Sequence, residues 1–122
     1  MQTQIRQTDA SREFFFKEGC HILEMWNDPS DPEVSIARAR VEKGVKTRCH
    51  RLKGTTERYL ILSGKGEVYV GEAPPAQVTP GSVVIIPPDT NQSILNNGLD
   101  DLIFLAICSP RFTSGSYVDT DT

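Results

Sequence analysis

The sequence predicts an all-β sandwich or barrel, and three observations carry that expectation. Turn-forming residues recur about every ten positions, the runs between them are short and rich in β-branched or aromatic residues, and no stretch shows the apolar period of a normal amphipathic helix. Many short strands joined by tight turns close a core in one of those two ways.

Taken in order, each strand is bounded by residues that stop it. "CHILEMW" runs into "NDPSDP", and "VSIARARVE" ends at "EKG". "KTRCHRL" stops at "KGTT", "RYLILSG" at "SGKG", and "GEVYVG" at "EAPP". "AQVTP" gives way to "PG", "SVVIIP" to "PPDT", and "NQSILNNG" to "NNGLDD" before the last run, "LIFLAICS". Gly, Asn and Asp in these separators supply unusual φ values, and Pro fixes φ near −65°. No repeat, linker or low-complexity block divides the 122 residues, so one domain spanning 1–122 is expected. Its barrel core is expected at about 17–110, with a loosely attached N-terminal arm and a short C-terminal tail.

Alternation assigns faces. Ser35, Ala37, Ala39 and Val41 share one face, opposite Ile36, Arg38 and Arg40, so those arginines are expected to point out of the barrel. In a regular "KTRCHRL" strand, Arg48, His50 and Leu52 share a face and Cys49 points away from it. A one-residue irregularity near Gly54 is the alternative; it would change which of Arg48 and His50 takes the first inward place. Tyr59 and Ile61 share the parity of Glu57, and Ile94 that of Gln92.

Composition narrows the class. With 38% hydrophobic and 24% charged residues and no apolar run of about 20, nothing suggests a membrane span. The start "MQTQIRQTDASREFFF" lacks the features of a secretory signal, so a cytoplasmic location is expected. Cys20, Cys49 and Cys108 form no CxxC pair and read as reduced thiols. A net charge of −3 argues against a nucleic-acid surface. Charge is nonetheless uneven: Ile36 to Arg58 holds eight Lys or Arg against two Glu, either a solvated face or an anion-attracting site.

The chemistry-bearing residues lie in two spaced sets. Gly44, His50, Leu52, Glu57 and Gly64 form the first; Gly81, Pro87, Asp89, Gln92 and Asn96 form the second. Across these sets the sequence resembles the cupin family, whose motifs are G-x5-H-x-H-x3-4-E-x6-G and G-x5-P-x-G-x2-H-x3-N. It is also similar to small single-domain cupins described as mannose-6-phosphate isomerase-like. The resemblance implies a cupin-type jelly-roll β-barrel, or double-stranded β-helix, and a homodimer. It also implies a divalent metal in the barrel, with His50, Glu57 and Gln92 as ligands. Leu52 stands where the family has a second histidine, Gln92 where it has another, and Asp89 where it has a glycine. The remaining nitrogen and oxygen donors would suit Zn, Mn, Fe or Ni.

Two functions follow from this pattern. One is a metal-dependent isomerase or oxygenase acting on a small polar or anionic substrate. There His50 and Glu57 are the catalytic proton carriers, Arg48 orients the substrate's negative group, and Tyr59, Ile61 and Ile94 wall the pocket. The other is a non-catalytic ligand-binding or sensor module that has lost the metal. Leu52 favours the second; Glu57 surviving beside His50 favours the first.

Overall fold

A computed structural model describes residues 1–122 and arranges them as two antiparallel sheets packed face to face. The six-stranded sheet contains β1 (Phe14–Phe16), β2 (Cys20–Trp26), β3 (Ser35–Val41), β5 (Thr56–Ser63), β8 (Val83–Ile86) and β10 (Leu102–Ser109). They lie in the order β1-β2-β3-β10-β5-β8. The five-stranded sheet contains β4 (His50–Leu52), β6 (Gly66–Val70), β7 (Ala76–Val78), β9 (Gln92–Leu95) and β11 (Tyr117–Asp119). Their order is β11-β4-β9-β6-β7. Neighbours in the sheets are distant in sequence, as when β10 sits between β3 and β5, and this winding is that of a jelly roll. The all-β jelly-roll expectation holds.

Alternation does the sorting. Along β5, Glu57, Tyr59 and Ile61 are buried while Thr56, Arg58 and Leu60 are only partly covered. Ile61, Ile86, Ile94, Leu102 and Val41 are almost fully buried between the sheets. On β3, Ala39 and Val41 face the core, while Arg38 and Arg40 turn outward to Glu13. Arg40 also reaches Asp101 at 3.3 Å. The exterior arginines are therefore paired with acids.

Three features differ from the sequence-based expectation. The "KTRCHRL" segment is regular only from His50; before it, Lys46 makes one isolated bridge to Leu95. The outer position expected of "CHILEMW", through which the two copies of a homodimer would pair, is taken by β1, so the edges of that sheet are β1 and β8. The sheets also extend beyond 17–110: β1 precedes that span, and β11 follows it by pairing Tyr117 with Leu52 and Asp119 with His50. Both chain ends are thereby brought to the same end of the barrel, beside His50.

Two motif residues act through the backbone. Asn96 is fully buried and donates to the carbonyls of Val41 (2.9 Å) and Asp100 (2.8 Å) while accepting from the Gly98 amide (2.9 Å). Asp89 takes the place of the motif glycine at φ 60°, a region that Asp tolerates better than most residues. Its carboxylate accepts from the Gly54 amide at 3.3 Å. Gly64 is more demanding: φ is +84°, and an added Cβ would lie 2.6 Å from the Asp101 carbonyl oxygen. Gly64→Ala is expected to destabilise the protein by about 2 kcal/mol or more, since strain and a backbone clash add. Chemical denaturation checks this; an unchanged midpoint would refute it.

Candidate functional site

Between the sheets lies a cavity with about 70 Å³ of water-accessible space. His50 of β4, Glu57 and Tyr59 of β5, and Ile94 of β9 line its deep part, where each is at most 8% exposed. Glu24 and Phe14, both exposed, mark its outer end. Fifteen of its 22 lining residues are hydrophobic, so the few polar groups inside are poorly solvated.

His50 is oriented from both sides. Its Nδ1 lies 2.8 Å from the Arg48 carbonyl oxygen, which can only accept, so Nδ1 carries a hydrogen. Nε2 then faces Oε2 of Glu18 at 3.3 Å. The ring stacks on Tyr117, with centroids 5.0 Å apart and planes at 19°. Tyr117 in turn meets Phe16 edge-on at 5.2 Å, and Phe16 meets Phe112 at 6.3 Å.

Glu57 approaches from the opposite sheet. Burial, with the charge of Glu18 second, pushes its pKa up to about 7, and His50 and Gln92 draw it partly back. Its Oε1 is buried with no hydrogen-bond partner. Glu18 is also pushed up to about 7 by burial, with the Cys20 thiol acting the other way. Burial likewise raises the pKa of the Cys20 and Cys108 thiols and the Tyr59 phenol. Tyr59 donates its hydroxyl hydrogen to Oε1 of Gln92. Gln92 faces His50 across the β4–β9 pairing.

The structure thus brings His50, Glu57, Gln92, Tyr59 and Ile94 together. Ile61 belongs to the buried core and does not line the cavity. Arg48 also lies outside the lining, about half exposed and paired with Asp119 at 2.7 Å. The physical reason is the irregular chain before β4. Thr47 and His50 are both buried three positions apart, so the strict alternation that would have carried Arg48 inward is broken.

Sequence reasoning missed Glu18, Phe16, Phe112 and Tyr117. Glu18 sits in the β1–β2 turn just before Gly19, at φ +100°, and no spacing rule marks it. A usable signal was the aromatic content of both chain ends, "EFFFKEG" and "RFTSGSY".

The cupin domain family matches residues 37–108. The chain belongs to the cupin family. No curated protein matches the sequence. Among solved structures, a Klebsiella pneumoniae protein with a double-stranded β-helix domain superposes with a TM-score of 0.78 at 12% identity, covering 99% of this chain and 100% of that one. Pac13, described as a unique nucleoside dehydratase, gives 0.78 at 17% identity, covering 97% and 92%. KdgF from a Halomonas species gives 0.72 at 16% identity, covering 82% and 88%. At these identities the likeness concerns the fold alone.

Cupins often hold a metal, but the residues of this cupin fit one poorly. No group of three or more His, Cys, Asp or Glu side chains is arranged to hold an ion. Leu52, which cannot ligate, fills the cavity wall beside His50, and Oε1 of Gln92 is already taken by the Tyr59 hydroxyl. The side chains that do converge on the cavity include two carboxyls, of Glu18 and Glu57, and one imidazole, of His50.

Proposed function

We propose that this cupin binds a small organic molecule in the barrel and moves protons on it through Glu57, Glu18 and His50, with no resident metal. The observation that carries the reading is the meeting of two carboxyls held near neutrality and one oriented imidazole in a single, mainly apolar cavity. Groups that titrate near 7 are suited to both giving and taking a proton at physiological pH. Glu57, partnerless at Oε1, is the base or acid facing the ligand. Glu18, with the His50 ring 3.3 Å away, acts as the second member of the pair. Tyr59, through Gln92, holds Glu57 in place. Isomerisation or elimination of water needs such a pair.

The likeness to Pac13 supports a small-molecule cavity, and uridine, present in structures of the Streptomyces protein, is among the first compounds to try. The mannose-6-phosphate isomerase-like subtype gains no support, because the lining has no Lys or Arg to hold a phosphate. Three free cysteines are in keeping with a reducing, cytoplasmic location. The homodimer expectation also stands as a proposal. Val83 and Ile85 on edge strand β8, with Leu62 on β5, are about half exposed and would be covered by a second copy.

A metabolite library screened by melting shift, followed by proton NMR of the hits in D2O, tests the reading. At least one hit is expected to take up solvent deuterium or lose water. That turnover should persist in EDTA and fall at least a hundredfold in Glu57→Gln. Hits that bind and stay unchanged would favour a sensor module. Turnover lost on chelation, with a stoichiometric metal in the purified protein, would favour the metal enzyme.

A further inference from the structure

The charge balance of the cavity points to the class of ligand, and this inference rests on the small-molecule site proposed above. Glu18, Glu24 and Glu57 line it, and no Lys or Arg does. Arginines of the surrounding segments are not part of the lining. Arg48 is paired with Asp119, Arg58 donates to Ser109 Oγ at 3.0 Å, and Arg111 donates to Asn27 Oδ1 at 2.9 Å. Lys17 sits over the Tyr117 ring, 4.6 Å from its centroid. His50 can contribute at most one positive charge against three carboxyls, of which Glu18 and Glu57 are fully charged only above about pH 7.

Rings are concentrated in the same place. Four of the five phenylalanines and two of the three tyrosines of the chain line this cavity: Phe14, Phe16, Phe104, Phe112, Tyr59 and Tyr117. Ring faces attract cations most strongly where water is excluded. The Lys17 ammonium over Tyr117 and Phe16 shows that this cluster already draws a positive group from outside. Inside, the buried Glu57 Oε1 has no donor, although the great majority of buried polar atoms do. A ligand N–H would supply one.

We propose that the cavity is a site for a small organic cation, a protonated amine carried on an apolar or aromatic body, seated with its nitrogen between Glu57 and Glu18 and its body among the rings. Such a ligand offsets the excess negative charge, satisfies Glu57 Oε1, and places its amine-bearing carbon next to the proton-transfer groups. Phosphate esters and carboxylates are excluded, since they would bring a further negative charge beside three carboxyls with no cation to receive it. Of the two readings of the basic run, this favours the solvated face over the anion-attracting site, because Arg38, Arg40 and Arg48 are paired with acids outside the cavity.

Calorimetric titration in EDTA with three probes of similar shape tests this: benzylamine, benzyl alcohol and benzoate. Benzylamine should bind at least tenfold more tightly than benzyl alcohol, and benzoate at least a hundredfold more weakly than benzylamine. In Glu57→Gln, an isosteric change, the advantage of the amine over the alcohol should fall to within threefold. Benzoate binding as well as benzylamine, no binding by any probe, or an amine preference unchanged in both Glu57→Gln and Glu18→Gln would overturn the inference. A site that takes the alcohol as readily as the amine would also overturn it, while leaving the acid–base reading to the deuterium experiment.

Discussion

Glu57→Gln is expected to melt higher than the parent protein at pH 8 and no higher at pH 5. In the folded chain the carboxyl titrates at about 7, against an ordinary value of 4.5. Below 4.5 both folded and unfolded states hold the proton, and the group contributes no pH dependence. Between 4.5 and 7 the unfolded chain releases the proton while the folded one keeps it, so stability falls as pH rises. Above 7 the folded state must carry a buried carboxylate, and the loss is complete. A shift of this size corresponds to about 3 kcal/mol at most, or roughly 10 °C for a domain of this length. Glu18 follows the same sign, but the two carboxyls interact, so their contributions do not add. Melting curves of parent and variant at pH 5, 6.5 and 8 isolate the Glu57 contribution as a difference. A parent that gains stability from pH 5 to pH 8, with no benefit from the substitution at pH 8, would contradict the burial described for Glu57.

That result would also explain why such a carboxyl persists. Replacing it by an amide of the same shape removes the charge penalty, so retention needs a benefit elsewhere, and the proton transfer proposed for it would supply one. Sites that store unfavourable electrostatics are common where chemistry is done.

The fold was legible because period-two patterning and turn chemistry agree along most of the chain. Gly64 and Asn96 are good examples: each appears in the sequence as motif punctuation, and each proves to be fixed by backbone geometry, Gly64 against the Asp101 carbonyl and Asn96 against the carbonyls of Val41 and Asp100. His50, Glu57 and Gln92 were marked as a set by the resemblance to the cupin motifs, and all three are buried on different strands. Arg48 was misread because alternation assumes continuous pairing, and pairing lapses between Lys46 and His50. Glu18 and Tyr117 were not legible, since they reach the site from the chain ends. Their places depend on β1 closing onto β2 and β11 closing onto β4, contacts that no local pattern encodes. His50 and Glu57 therefore come from strand periodicity, while Glu18 and the ring stacked on His50 come from tertiary closure.

The clearest test of the metal question is to restore what the motif lacks. Leu52→His combined with Gln92→His is expected to bind Zn or Ni at least a hundredfold more tightly than the parent. Leu52 lies two positions from His50 on β4 and faces the same cavity, so an imidazole there would stand beside the existing one. Gln92 is directly opposite His50 in the sheet, which brings the fourth donor within reach of the same ion. Without metal the double variant should be the less stable protein. Losing a buried leucine side chain costs about 2 kcal/mol, and removing the acceptor of the Tyr59 hydroxyl costs about 1–3 kcal/mol. Excess metal should return much of this, because ligand at a hundred times its dissociation constant adds about 2.7 kcal/mol to the folded state. Melting with and without Zn therefore reads both halves of the prediction. Parent protein that binds the ion as tightly as the double variant would mean that Glu18, His50 and Glu57 already form a metal site, and that their proton chemistry is secondary to it.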